Sequence, residues 1–166
     1  AIPNVMGTFG VGQDKAQFLS SAFLATTVAS LLANTWLIAR FGQPAIFSMC
    51  LIVFIIGSFV SSFAPTLDMI IFGRVIQGFG AGVIQPLIMV LLFDIFPREK
   101  RGIAMGFFSM GVGFALGLAP ALGGIVVDTL GWRYVFLIPV PVALLSLALG
   151  VLFIPERKDQ RPAGRF

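Results

Sequence analysis

The sequence predicts an all-α integral membrane protein built as a helical bundle, and three observations predict it. Apolar residues make up 58% of the 166 positions and charged residues only 11%, under half the roughly 25% of a soluble domain. The mean hydropathy is +1.01. The apolar residues run continuously instead of alternating, which excludes a strand barrel. The 18 Phe and 19 Gly fit the same class, because Gly and aromatic residues are frequent in membrane helices. So much apolar surface exceeds what a soluble fold of this size hides from water.

Crossing roughly 30 Å of hydrocarbon takes about 20 residues, and five stretches are long enough. They run from Gln17 to Ala39, Pro44 to Phe63, Asp68 to Phe96, Gly102 to Val127 and Trp132 to Ile154. The breaks are short: Arg40-Phe41-Gly42-Gln43, Ala64-Pro65-Thr66, Pro97-Arg98-Glu99-Lys100-Arg101 and Asp128-Thr129-Leu130-Gly131. Short breaks make consecutive helices neighbours in a compact bundle. The opening Ala1-Ile2-Pro3-Asn4 reads as the last turn of an earlier helix. The expectation is therefore a partial chain, lacking one preceding span and a second half.

Cations orient the bundle. With Arg40 on the cytoplasmic side, Arg98, Lys100, Arg101, Arg157, Lys158, Arg161 and Arg165 share that side, eight of the 11 Lys and Arg residues. Only Lys15 and Arg133 fall outside, a positive-inside pattern that places the C-terminal end in the cytoplasm. Trp132 and Tyr134 are then expected at the outer interface and Trp36 near the inner one. The single Cys50 cannot form an internal disulfide. With no His and no Cys cluster, most transition-metal sites are excluded, and no metal is expected. No Gly-rich loop with a following Lys-Ser/Thr supplies a nucleotide motor. The spans hold no nucleophile, His or carboxylate pair for an enzyme, and the cations mark topology, not nucleic-acid binding.

Arg74, in Gly73-Arg74-Val75-Ile76-Gln77-Gly78, lies about 9 Å into its span at 1.5 Å per residue. A cation at a helix centre costs about 2.5–3.5 kcal/mol, so Arg74 is expected to face the bundle interior or a wet cavity. Gln85 follows 11 positions later, which at 100° per residue returns it to within about 20° of Arg74. Gly78, Ala81 and Gly82 lie between, so this face reads as a cavity wall; the alternative is that Arg74 snorkels or cross-links helices. Asn34, Gln77 and Gln85 serve either as interhelical hydrogen-bonding groups or as cavity contacts. Gly106, Gly113, Gly117, Pro120, Gly123 and Gly124 share one helix, where Pro120 removes a backbone donor. That pattern suits tight packing, a bendable gate, or both. Arg40 and Asp94 are placed to pair across the ends of two helices, beside the charged loop that holds Arg98 and Arg101. A shift of 89 positions superposes Gly42 on Gly131, Ile46 on Val135 and Phe47 on Phe136. Such a weak repeat suits a three-plus-three helix arrangement.

These blocks resemble the N-terminal half of a major facilitator superfamily transporter, from the end of helix 1 through helix 6. The likeness is greatest to the fourteen-span drug/proton antiporter branch. Arg74-Val75-Ile76-Gln77-Gly78 resembles the fourth-helix motif, whose arginine is implicated in proton coupling. Gly106, Pro120, Gly123 and Gly124 match the fifth-helix antiporter motif, with Ala115 and Ala119 at two of its glycine positions. Trp36-Leu37-Ile38-Ala39-Arg40-Phe41-Gly42 resembles the loop motif between helices 2 and 3. Arg40 and Gly42 fit there, whereas Thr35 stands for a glycine, Ala39 for an aspartate and Gln43 for a basic residue. Gly131-Trp132-Arg133-Tyr134-Val135-Phe136 with Val140-Pro141 resembles the start of helix 6, with Pro139 where asparagine is common.

The resemblance implies proton-coupled efflux of amphipathic drugs or organic compounds by alternating access in a multi-pass cell-membrane protein. It implies the proton gradient as energy source in place of a cofactor. The expected partners are the lipid bilayer, the missing helix 1 and C-terminal half, and a small-molecule substrate. Two other readings stay open, an uptake carrier for sugars, organic anions or metabolites, and a non-transporting membrane scaffold. The native polypeptide of a twelve- or fourteen-span carrier is expected to weigh about two to three times the 17.8 kDa of this chain. Intact mass spectrometry of the protein from its membrane checks this, and a mass near 17.8 kDa would favour the scaffold.

Overall fold

In a computed structural model that describes residues 2–153, every regular element is a helix. The chain folds into α1 (Ile2–Phe9), α2 (Gln13–Phe41), α3 (Gln43–Ser62), α4 (Leu67–Ile95), α5 (Arg101–Thr129) and α6 (Pro139–Phe153). Two short 3₁₀ segments, Arg98–Lys100 and Trp132–Phe136, precede α5 and α6. Five of these segments are long and apolar enough to cross a membrane.

The helix ends follow from local chemistry. α2 and α3 are separated by Gly42 alone, whose φ of 82° is a conformation glycine adopts without a Cβ penalty. Its N–H still donates to the Ile38 carbonyl at 2.9 Å, and Pro44 sits in the first turn of α3, where no N–H is needed. Thr66 caps α4 by accepting from the Met69 N–H at 3.3 Å, and Asp68 complements the helix dipole there. Gly131, with φ 97°, closes α5 by donating to the carbonyls of Val126 and Val127.

The last membrane segment differs from one continuous helix over 132–154. It opens with the 3₁₀ turn, and α6 begins only at Pro139, because Pro139 and Pro141 supply no N–H and disfavour helical backbone just before them. Ile154 and the cations Arg157, Lys158, Arg161 and Arg165 lie outside the described residues. The opening residues form an eight-residue helix, not a single turn. α2 starts at Gln13, earlier than the hydropathy boundary, and takes Asp14 into its first turn.

Packing centres on α4. Ascending residues of α4 meet ascending residues of α2: Gly78 lies on Phe23 and Thr26, and Gly82 on Thr27 and Ser30. These two helices therefore run in the same direction. Against α3 the order reverses, since Gly73 meets Gly57 and Ser61 while Gly80 meets Cys50 and Phe54. A Cβ on Gly57 would stand 2.7 Å from the Gln77 backbone nitrogen and 2.8 Å from the Gly73 carbonyl oxygen. One on Gly80 would stand 2.6 Å from the Cys50 carbonyl oxygen. Small residues thus let three backbones touch, which is how helices associate in lipid.

Two buried clusters flank this contact. Leu37, Ile46, Cys50, Val83, Leu87 and Leu91 fill the end near Gly42. Val5, Leu19, Ala64, Ile70, Trp132 and Phe136 fill the opposite end. Trp132 is therefore a buried packing residue, 7% exposed, and not a side chain spread along an interface; Tyr134 and Trp36 are exposed. α5 stands apart. Its buried residues are Ala104 and Val127, near its two ends, and residues 111–120 are all exposed.

Glycines of the two kinds should respond oppositely to alanine. Gly57→Ala overpacks backbone against backbone and should destabilise the full-length protein by about 1–3 kcal/mol. Gly102, with nothing within 4 Å of a built Cβ, should tolerate alanine with no loss of thermal stability, since alanine is the better helix former. Melting curves of the purified full-length variants in detergent compare the two directly.

Candidate functional site

Among the described residues Arg74 is the one charged residue in the middle of the bundle, and the fold gives it a defined setting. It projects from α4 toward a cavity of about 170 Å³ lined by Val5 of α1, Leu19, Ser20 and Phe23 of α2, Phe54 of α3, Arg74 and Gln77 of α4, and Val135, Phe136 and Pro139 leading into α6. Five segments thus contribute to one space. Its wall is mainly apolar and aromatic, with Ser20, Arg74 and Gln77 as the polar groups. That composition suits an organic ligand.

The guanidinium is held from two directions. Its Nη1 donates to Gln77 Oε1 at 3.2 Å, one helical turn away on α4. Its Cζ lies 4.7 Å from the Phe23 ring centroid and 5.6 Å from that of Phe136, within cation–π range of both. Nε is buried with no hydrogen-bond partner among the described residues. Among the described residues no carboxylate lines the cavity. The site therefore presents a fixed positive charge with an unused donor, on a wall otherwise apolar.

Gln77 is 2% exposed and Ser58 is fully buried. Gln77 Nε2 donates to Ser58 Oγ at 2.7 Å, and Ser58 Oγ donates to the Phe54 carbonyl at 3.0 Å. Sequence reasoning found Arg74 and Gln77 but not Ser58, Phe23 or Phe136. Ser58 sits in an apolar run with nothing local to single it out, and Phe136 figures there only as part of the block that opens the last span, not as a contact of Arg74. Their role arises only when α3 and α6 pack on α4.

Gln85, Asn34 and the small face of α4 lie elsewhere. Gln85 is exposed and does not line the cavity. Gly78 and Gly82, expected as cavity wall, are pressed against α2. Helical projection put these residues on one line correctly, but that line meets a neighbouring helix instead of open space. Asn34 is 6% exposed, lies outside the cavity, and keeps its Oδ1 without a partner among the described residues. Gly106, Gly113, Gly117, Gly123 and Gly124 have nothing within 4 Å of a built Cβ, so no helix among the described residues packs on them. α5 runs unbroken through Pro120.

At the end near Gly42 the expected pairing of Arg40 with Asp94 is replaced. Gln43 Nε2 donates to Asp94 Oδ2 at 3.0 Å, whereas the Arg40 guanidinium lies over the Trp36 and Phe41 rings at 5.8 and 5.9 Å. The one-residue turn at Gly42 sets Gln43 directly at the start of α3, facing α4. Among the described residues Arg101 meets no carboxylate. It donates to the carbonyls of Phe93 at 2.7 Å and Phe96 at 3.2 Å, capping the end of α4. Arg98 lies in the exposed 3₁₀ turn.

At the other end Trp132 Nε1 donates to Thr8 Oγ1 at 3.0 Å, and its ring meets Phe9 and Phe136 edge-on at 5.8 and 6.2 Å. Arg133 lies over the Trp132 ring at 5.1 Å and reaches the Ala64 carbonyl at 3.4 Å. Through Phe136 this cluster packs directly behind one of the residues that line the cavity.

The family model of the Major Facilitator Superfamily matches residues 1–166. The chain belongs to this superfamily. Its relatives include the multidrug export protein EmrB of Escherichia coli (strain K12), 34% identical over 163 residues, which cover 97% of this chain and 32% of EmrB. Multidrug resistance protein 3 of Bacillus subtilis (strain 168) is 33% identical over 161 residues, covering 97% of this chain and 31% of that protein. The chain thus spans about a third of the length of these relatives. Among solved structures, the superfamily's proton:xylose symporter XylE superposes with a TM-score of 0.78 at 18% identity, over 91% of this chain and 39% of that one. At that identity the likeness is one of fold. Its five membrane-capable helices agree with the multi-pass membrane architecture of that superfamily.

The Trp132–Thr8 bond should be worth about 1 kcal/mol. Trp132→Phe and Thr8→Val are each expected to lower the melting temperature of the full-length protein, and the double variant no further. Additive losses would show that the two side chains act separately.

Proposed function

We propose that this chain forms the larger part of the N-terminal six-helix domain of a proton-coupled exporter of amphipathic organic compounds, working by alternating access. The observation that carries the reading is Arg74: a cation inside a membrane span, at a cavity with aromatic walls, with a buried donor left unused. Membrane-embedded cations are costly and mark ion or substrate pathways. The similarity to the multidrug export protein EmrB and to multidrug resistance protein 3 supports export of drug-like molecules.

In this reading the cavity is one wall of a midplane site. The remainder of the transporter supplies the other wall and an acidic residue whose protonation Arg74 biases, since a nearby cation favours the ionised form of an acid. A substrate places its aromatic parts against Phe23, Phe54 and Phe136. Gln85 and Asn34 take interhelical roles outside that wall. α5 presents Gly106, Gly113, Gly117, Gly123 and Gly124 to the second half of the protein and acts with Pro120 as the bending element. The end that bears Arg40, Asp94, Arg98 and Arg101 faces the cytoplasm by the excess of cations there. The proton gradient is the energy source, and the partners are the bilayer, helix 1, the C-terminal half and the small-molecule substrate.

Arg74→Ala in the full-length protein tests the reading, with ethidium as the exported probe in proteoliposomes under an imposed pH gradient. Loss of a charge-assisted contact of about 1.5–3 kcal/mol corresponds to a rate about ten- to a hundredfold lower. That loss is expected at normal expression. Export at the wild-type rate would overturn the role of Arg74, and movement of the probe with the proton flux would favour an uptake carrier.

A further inference from the structure

We infer that Ser58 is a positioning residue for Arg74, acting through Gln77 from the neighbouring helix. The inference rests on the reading of Arg74 as the proton-coupling cation, and it adds a residue outside the helix that bears that cation. The hydrogen-bond chain has one possible polarity. An arginine only donates, so Gln77 must turn Oε1 toward Nη1. Its Nε2 then faces Ser58 Oγ. Ser58 accepts that bond and sends its own proton to the Phe54 carbonyl. A flipped Gln77 amide would set Nε2 against the Arg74 donor and would draw the Ser58 proton away from the Phe54 carbonyl.

The relay is rigid because of where it sits. Ser58 follows Gly57, the residue at which α3 and α4 come into backbone contact, and a Cβ there would meet both the backbone nitrogen and Cγ of Gln77. Gln77 and Ser58 have almost no exposure, so neither amide nor hydroxyl has water as an alternative partner. Phe23 and Phe136 hold the guanidinium from α2 and the segment before α6. Between these supports Arg74 has one Nη1–H committed and its Nε–H unused. Ser58 thereby sets which edge of the guanidinium remains for an incoming acceptor.

From every packed element, the groups at Arg74 are uncharged among the described residues: Val5 of α1, Ser20 and Phe23 of α2, Phe54 of α3, Gln77 of α4 and Phe136 before α6. No second cation or local carboxylate compensates if the guanidinium shifts. A displaced guanidinium stabilises an ionised acid less, so the pH midpoint of proton-driven transport moves upward when Ser58 is removed.

The test uses the full-length protein in proteoliposomes, with ethidium as probe and the pH midpoint of export as readout. Ser58→Ala is expected to raise the midpoint by about one unit. Gln77→Met should raise it too, and adding Ser58→Ala to Gln77→Met should move it no further. A wild-type midpoint in Ser58→Ala, or a further shift in the Gln77→Met background, overturns the inference. If Ser58→Ala does not accumulate, Ser58→Cys decides, because a thiol is close in size and a weaker acceptor. A smaller upward shift is then expected, and a wild-type midpoint overturns it. Arg74→Ala is run alongside. Its retention of wild-type export would sink the transport role of Arg74 itself, whereas its failure with an unshifted Ser58→Ala sinks the role of Ser58 alone.

Discussion

The rest of the structure depends on the close approach of α4 to both α2 and α3. In lipid, apolar side chains gain nothing by leaving the solvent, so helices associate through tight packing and interhelical hydrogen bonds. Gly57, Gly73 and Gly80 open one side of α4 to α3, while Gly78 and Gly82 open the other to α2. With both sides occupied by backbone contact, α4 has little freedom to rotate, and the direction in which Arg74 projects is set by its neighbours. The same approach brings Ser58 within 2.7 Å of Gln77. Larger residues at these glycines would separate the helices and break that bond.

Arg74 occupies a setting that compensates its burial only in part. A cation at a helix centre costs about 2.5–3.5 kcal/mol on the insertion scale. One amide acceptor and two aromatic faces offset some of that, a cation–π contact giving about 0.5–2 kcal/mol. The buried Nε still lacks an acceptor. A group serving structure alone is better satisfied than this, because an unmet buried donor is costly. The deficit is what a bound or neighbouring acceptor removes, so the energetics of the fold and the proposed chemistry meet at the same atom.

The helical class and the five membrane segments were legible because hydropathy over about 20 residues is a strong local signal. Arg74 stood out for a similar reason, as a lone cation in an apolar run. What could not be read was partnership. Gly78 and Gly82 occupy the face that projection gave them, yet projection does not say whether a face meets a cavity or a helix. The α5 glycines show the converse, a pattern suited to contact that meets no helix among the described residues. Ser58 was invisible because serine in a membrane helix commonly satisfies itself on its own backbone, as Ser58 also does at Phe54. Gln43 was noticed as a departure from a basic position. Its bond to Asp94 appeared only once the one-residue turn at Gly42 was known.

The contrast between α4 and α5 bears on how such a domain moves. Rocking requires a unit that keeps its internal geometry and a surface along which it slides. α2, α3 and α4 form the unit, since backbone contacts on both sides of α4 leave no room for relative shear. α5 is buried near its ends, at Ala104 and Val127, whereas residues 111–120 are exposed in this chain. Pro120 lies at the edge of that free stretch, where its missing hydrogen bond weakens the helix without disturbing any packed neighbour. In the proposed reading, rigidity around Arg74 and compliance in α5 follow from one difference, whether the glycines of a helix are covered by another backbone of this chain or left open.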